Sequence, residues 1–262
     1  MGMKVHVTGA GGFIGRNLVA MLSRAGHEVL GAAAGAQAIV HLAAIAHRHA
    51  SRAELDEVNV RLAARVGRQA AAQGARLVFL SSVKVHGEES HAPFTEHSRL
   101  APQDAYAVSK VRAEDLLGAI PNLRLAVLRP PLVYGPGVKA NFLALMRAIA
   151  RGWPLPLGAI ANRRSFIYVG NLADAIVRCL SAEGTYLVSD GDAISTPALC
   201  REIGAVLGRP ARLVPFPRAL LPRQLAASLV VDDSAIRSRL GWRPPYTRGE
   251  GLRATAEWYL AR

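Results

Sequence analysis

Apolar positions along the chain fall into two alternating patterns, short continuous blocks and helical faces. The block "KVHVT" (4–8) leads through a glycine-rich turn into "FIGRNLVAMLSRAG". There Ile14, Leu18, Met21 and Leu22 recur at the spacing of one helical face, and Gly26 marks the stop. Further strand-like blocks are "EVLGA" (28–32), "AIVHLA" (38–43), "RLVFLSS" (76–82), "RLAVLRP" (124–130) and "TYLVSD" (185–190). Helical periodicity predicts helices over about 53–73 and 104–120. Strands alternating with helices predict an α/β fold, a Rossmann-type doubly wound parallel sheet covered on both faces. Past Pro130 the turn-rich "PPLVYGPG" opens a half in which the alternation is less regular. The expected organisation is a first domain over 1–130, to which 165–190 partly returns, and a smaller substrate-binding domain over 131–262.

One link conflicts with this plan. Only residues 33–37 separate the blocks 28–32 and 38–43. A crossover between parallel strands needs roughly a dozen residues. Five residues reach about 18 Å at full extension, and a five-residue strand is itself about 17 Å long. Either the two blocks are not both parallel members, or a connecting segment is absent. The second is favoured, and a break in the chain is expected between about Gly31 and Gln37.

The chain has 262 residues, 51% of them hydrophobic, enough for a sizeable core. No apolar run approaches the roughly 18 residues of a membrane span, and the N-terminus lacks a basic-then-apolar leader pattern. Cys179 and Cys200 lie in helix-like apolar patterns and read as buried small hydrophobes rather than a disulfide, which fits a cytoplasmic protein. The net charge of +13 invites a nucleic-acid reading. The arginines are scattered, however, with no basic block interleaved with aromatics, so no nucleic-acid partner is expected, and the lack of a long apolar run leaves no membrane partner expected. A polyanionic small substrate would be served equally well by a positive field. The eight histidines include His41, His47 and His49, but no HExxH or Cys/His ligand spacing appears, and no metal site is expected.

The turn "TGAGGFIG" holds Gly9, Gly12 and Gly15 between a strand and a helix. In that context Gly9 permits a tight turn, Gly12 lets backbone amides approach a pyrophosphate, and Gly15 permits close helix packing. The usual companion is an acidic residue ending the second strand. Here that strand ends "GAAAGAQA", with neither an acid nor an arginine, so the choice between NAD and NADP is not legible.

Two further groups carry chemistry. "YAVSK" puts Tyr106 and Lys110 on one face of a helix. A free tyrosine titrates near 10; an ammonium one turn away, with a positive nicotinamide nearby, is expected to lower that value. Ser81 and Ser82 end a strand, at the edge of a parallel sheet where ligands bind.

Taken together, "TGAGGFIG", "VHLAA" (40–44), Asn59 in "EVNV", "FLSS", "YAVSK" and "RPPLVYGPG" resemble the extended short-chain dehydrogenase/reductase family, the nucleotide-sugar epimerases and dehydratases. "NRRSFIYVGNLADAI" (162–176) and "VDDSAIRSRLGWRPPYTRGEGL" resemble its later segments. The resemblance implies Tyr106 as base, Lys110 as its partner and Ser82 as the catalytic hydroxyl, four residues before an "HG" that replaces the family's usual "YG". It implies NAD or NADP, NAD favoured, held by Gly9, Gly12, Phe13, Ile14, Gly15, Leu42, Ala43, Ala44, Asn59, Ser81, Tyr106, Lys110 and Pro130. A nucleotide-diphosphate sugar, a UDP-sugar above all, is implied at Ser82, Lys84, Tyr106, Asn141 and Arg164, with Arg163 a second candidate for the diphosphate.

The implied reaction is oxidoreduction at C4: a UDP-sugar 4-epimerase, or alternatively a UDP-4-keto-sugar 4-reductase. In 4,6-dehydratases an Asp-Glu pair follows the catalytic hydroxyl; here Val83 and Lys84 follow Ser82, which disfavours that branch. "SSVKVHG" and "RPPLVYGPGVKANF" are similar to bacterial surface-polysaccharide members. A non-catalytic dinucleotide sensor is the distant alternative; such proteins often lose the tyrosine and lysine kept here. The resemblance also implies a homodimer through parts of 53–73 and 104–120, with Ala63, Ala64, Ala107 and Ala113 expected to allow close helix approach.

Overall fold

The computed structural model describes residues 2–46, 50–217, 221 and 223–262. Six parallel strands form the main sheet: β1 (Lys4–Thr8), β2 (Glu28–Leu30), β3 (Ala38–His41), β4 (Arg76–Leu80), β5 (Arg124–Arg129) and, after a short two-stranded sheet of β6 (Leu132–Tyr134) with β7 (Phe166–Tyr168), β8 (Gly184–Leu187). Their order is β2-β1-β3-β4-β5-β8. Among the helices are α1 (Phe13–Arg24), α2 (Arg52–Leu55), α3 (Leu62–Ala72), α4 (Ala105–Gly118), α5 (Ala140–Ala150) and α6 (Val169–Cys179). These are followed by α7 (Thr196–Val206), α8 (Arg223–Ala226), α9 (Ser234–Leu240) and α10 (Arg248–Leu260).

The alternation of side chains along each strand sorts the core into two faces. Val5, Val7, Val40, Val78, Ala126 and Leu128 pack with Leu18 and Leu22 of α1 and Leu172 and Ile176 of α6. Ile39, Leu77, Phe79 and Val127 point the other way, against Ala63, Val66 and Ala70 of α3 and Ala113 and Leu117 of α4. A further core gathers Tyr134, Phe142, Met146, Ile149, Ile203 and Leu252 around α5, α7 and α10, apart from the large sheet.

The expected chain break is not found. β2 and β3 both run parallel to β1, on its two sides, and residues 31–37 join them as bends and a turn. The sequence estimate failed because it gave both strands too much length. β2 has three residues, and its last, Leu30, is level with His6, while Ala38 opens β3 level with Val5. The return along the sheet is therefore one residue, and most of the path is the sideways step over β1, about 10 Å at two strand spacings. Gln37 N–H donates to Lys4 O at 2.8 Å, and Gln73, just past α3, donates through Nε2 to the carbonyls of Ala33 and Ala36. These bonds satisfy a connection too short to hold a helix.

Candidate active site

The turn between β1 and α1 is built around glycine for steric reasons. Gly9 has φ +75°, and a Cβ there would stand 2.9 Å from Ala43 N. A Cβ on Gly15 would lie 2.2 Å from Gly9 O, so the first turn of α1 packs directly on the glycine loop. Gly12 caps α1 without a side chain, and no acid occupies the first turn. The helix thus presents uncapped amides and its positive end at the carboxyl edge of the sheet. Gly137 lies across the way, where a Cβ would be 3.3 Å from the Phe13 ring.

Behind this turn the segment after β3 is held by a buried amide. Asn59 lies in a π-helical turn (Asp56–Arg61) inserted between α2 and α3, an irregularity common near functional sites. Its Oδ1 accepts from Ile45 N at 2.8 Å, and its Nδ2 donates to Ile45 O at 3.1 Å and Ser109 Oγ at 2.9 Å. With both N–H donors occupied, Asn59 positions the 42–46 loop and α4.

The reactive cluster stands where β4 ends and α4 begins. Asp104 caps α4, accepting from Ala107 N at 2.6 Å, and this fixes Tyr106 and Lys110 one turn apart. Lys110 is buried; its Nζ donates to Leu80 O at 2.8 Å and lies 4.7 Å above the Phe79 ring and 5.9 Å from the Tyr106 ring centre. Burial brings its pKa down to about 8, opposed by the Glu114 carboxylate. The Ser82 hydroxyl lies beside Tyr106, where it favours the ionised form of the phenol. Among the protein's own groups, burial, and then Asp104, push the tyrosine pKa up, and Ser82 pulls only partly the other way. The phenol is held in its protonated form.

Ser81, expected at the cofactor, is instead committed to the interior, and it leads to residues that the sequence reading missed. Ser81 is buried and donates to Glu114 Oε1, so it faces an interior network. Glu114 forms a buried ion pair with Arg129, whose Nη1 meets His86 Nε2 at 3.1 Å. Glu114 follows Lys110 by four residues, as Lys110 follows Tyr106, and that repeat was the available signal. His41 is buried against Phe79 with Nδ1 2.7 Å from Thr8 Oγ1; its Nε2 has no partner. Burial first, and the Lys110 charge second, drop its pKa to about 3.

The expected substrate residues are placed less uniformly. Lys84 Nζ binds Asp104 Oδ2 at 2.7 Å and Glu88 Oε1 at 2.8 Å. Burial opposes its charge, but these carboxylates outweigh burial and raise its pKa. Arg164 is half-buried, with Nη1 donating to Ala227 O at 3.1 Å; burial lowers its pKa and the Glu88 charge opposes this. Glu88 therefore links Lys84 and Arg164 electrostatically. Arg163 and Asn141 are exposed. Pro130 O accepts from Val83 N at 2.9 Å, beside the turn that carries Ser82. A cleft of about 710 Å³ bordered by Asp190, Asp233, Arg237 and Tyr246 opens off the end of β8, and none of the expected site residues lines it. Ala63, Ala64, Ala107 and Ala113 are interior and cannot form the expected helix interface; the exposed stripe of α4 is Val108, Arg112 and Leu116. His47 and His49 lie outside the described residues. Among the described residues no three His, Cys, Asp or Glu side chains gather as metal ligands. Both cysteines are free and buried. No helix among the described residues is long and apolar enough to cross a membrane.

Residues 30–188 match the NAD dependent epimerase/dehydratase family. A UDP-glucose 4-epimerase of Vibrio cholerae is 38% identical over 250 residues, covering 85% of this chain and 76% of that protein. A dTDP-4-dehydrorhamnose reductase of Mycobacterium tuberculosis is 30% identical over 267 residues, covering 90% of this chain and 85% of that one. The solved structure of RMD from Pseudomonas aeruginosa, complexed with NADPH, superposes with a TM-score of 0.87 at 25% identity, covering 100% of this chain and 99% of that one. The chain belongs to the NAD dependent epimerase/dehydratase family and is an NAD(P)-dependent enzyme of the extended short-chain dehydrogenase/reductase type. The glycine turn with its uncapped amides and the buried Lys110 fit a dinucleotide of this kind.

Proposed function

We propose that this protein interconverts the C4 hydroxyl and ketone of a nucleotide-diphosphate sugar, acting as a UDP-sugar 4-epimerase. The observation that carries the reading is the joining of Ser82, Tyr106 and Lys110 beside the uncapped glycine turn. A nicotinamide dinucleotide, bound at Gly9, Gly12 and Gly15, supplies the hydride chemistry. Tyr106 Oη exchanges a proton with the sugar O4, and the Ser82 hydroxyl orients that oxygen. Lys110 holds negative charge that develops on the phenol oxygen, and Arg164 binds the diphosphate. The sheet half supplies the dinucleotide seat, and the half built around α5 and α7 supplies the sugar-nucleotide side.

One observation favours a second reading, reduction of a 4-keto sugar. That observation is the Mycobacterium relative, a reductase. Incubation with UDP-sugars and with 4-keto nucleotide sugars, each with NAD and with NADPH, separates the two and also fixes the cofactor. Interconversion of C4 epimers supports the epimerase; NAD(P)H-dependent consumption of the keto sugars alone supports the reductase. No turnover on either panel removes both. The protein is further proposed to pair as a homodimer through the α4 stripe and the neighbouring π-helical turn; a monomer mass by light scattering at micromolar concentration would refute this.

A further inference from the structure

The excess positive charge has an address. Residues 116–173 hold seven lysines and arginines and residues 203–231 hold four, and neither stretch contains an aspartate or glutamate. What is clustered is the absence of acids, which a search for basic blocks does not see. Of these eleven residues, Arg129 is committed to the buried Glu114 and Arg124 to Gly74 O, while Arg151, Arg209 and Arg212 lie where the two stretches meet.

The fold lays them side by side. Leu155 N–H donates to Arg212 O at 2.8 Å, Val214 N–H to Leu155 O at 2.9 Å, and Gly158 N–H to Val214 O at 3.0 Å. Along this seam Trp153 is 54% exposed, Val214 40% and Phe216 36%, and Pro154, Pro156, Pro215 and Pro217 are exposed with them. Arginines flank the apolar strip. Arg151 lies over the Trp153 ring at 5.0 Å, Arg209 rests against Gly152, and Arg212 Nη1 donates to Gly152 O at 3.4 Å. Among the described residues none of these three guanidinium groups is in an ion pair with a carboxylate.

We propose that this strip docks the protein peripherally on an anionic phospholipid surface. Tryptophan and phenylalanine favour the boundary between headgroup and acyl chain, where an apolar ring is buried while its surroundings stay wet. Guanidinium groups around such a strip meet lipid phosphates, and the absence of acids removes the repulsion that would oppose contact. A single-stranded nucleic acid would use the arginines and stack on Trp153, but it leaves Val214 and the four prolines without a role. Peripheral docking is compatible with the lack of a membrane-spanning helix among the described residues. It does not depend on the proposed reaction.

The test is flotation of the intact protein with phosphatidylcholine vesicles, with and without phosphatidylglycerol. The protein should float with the anionic vesicles only and be released by salt. The double variant Trp153→Ala/Phe216→Ala and the triple variant Arg151→Glu/Arg209→Glu/Arg212→Glu should each weaken vesicle binding by roughly tenfold or more, with melting temperature and dinucleotide binding unchanged. Trp153 fluorescence, isolated as the signal lost in Trp153→Ala, should shift to the blue on anionic vesicles. Failure to float with phosphatidylglycerol vesicles, or variants that float like the parent, overturns the proposal. Binding of single-stranded DNA that depends on the same residues, without vesicle binding, overturns it in favour of a nucleic-acid surface.

Discussion

Lys110 on the sheet side is buried and Asp190 beside the second core is half-buried; both are ionisable, and their surroundings differ. Asp190 accepts from Tyr134 Oη at 2.8 Å, Tyr168 N at 2.9 Å and Asn171 Nδ2 at 2.7 Å. Burial raises its pKa, but these donors oppose the rise, and the carboxylate ties β6, β7, α6 and the segment before α10 together. Lys110 has three donors and, among the described residues, one hydrogen-bond acceptor, Leu80 O. It faces two aromatic rings instead of a paired carboxylate, and its pKa falls to about 8. The satisfied group stabilises; the under-satisfied one is poised for what binds next to it. Buried charge alone does not mark an active site. What marks it is incomplete satisfaction at the carboxyl edge of a parallel sheet.

The sharpest way to break this contrast is to remove the group that Lys110 serves. Tyr106→Phe should lower turnover by roughly 10²–10⁴-fold and leave dinucleotide affinity and melting temperature in place, because the side chain loses only its oxygen. Turnover close to the parent would take Tyr106 out of the reaction.

A pair of substitutions then tests satisfied against under-satisfied burial. Asp190→Ala leaves the Tyr168 N–H and one Asn171 N–H without an acceptor, and at roughly 1–3 kcal/mol for each such group urea unfolding should show a loss of about 2 kcal/mol or more. Lys110→Met should keep or raise stability at neutral pH while abolishing most activity. The pH dependence carries the sign: the Lys110 pKa is about 8 in the folded protein against 10.5 as the ordinary value. Between these limits the unfolded chain holds a proton that the folded chain has lost. The parent should therefore gain stability relative to Lys110→Met as pH rises through that window. Equal losses of stability in the two variants would erase the distinction.

Arg164→Ala probes the other half of the site. A charge-assisted contact to a diphosphate is worth roughly 1.5–3 kcal/mol, so KM for the sugar nucleotide should rise about ten- to hundredfold with little change in kcat. An unchanged KM would place the diphosphate elsewhere.

An effect on acid stability alone is expected at His41, whose pKa is held at about 3 against 6.5. The unfolded chain takes up a proton across that interval and the folded chain does not, so stability falls as pH drops from 6.5 towards 3. His41→Leu should flatten this acid limb by at most about 1.4 kcal/mol per pH unit. An unaltered limb would show that His41 is protonated in the folded state.

The sheet half was legible because its physics is local. Period-two blocks and one-faced helices specify both faces of the sheet, and the strand–glycine–helix order at residues 4–24 specifies a helix end with uncapped amides. Tyr106, Lys110 and Ser82 were readable because four-residue spacing on a helix and the last positions of a strand have fixed geometry. The lengths of β2 and β3 were not readable. A strand ends where its neighbour stops pairing, and the stagger of β2 and β3 against β1 turned an apparently impossible link into a short sideways step.

The sequence by itself determined the parallel α/β architecture, the glycine turn and the tyrosine–lysine pair, since each follows from contacts within a few residues or from a periodicity. The tertiary structure decided which polar groups would be satisfied. Ser81 turned inward to Glu114, Lys84 was drawn to Asp104 and Glu88, and Asn59 was committed to Ile45 and Ser109. It also brought the two acid-free stretches into one seam between Leu155 and Arg212. Partners that lie dozens of residues away are chosen by packing, and no local spacing encodes them.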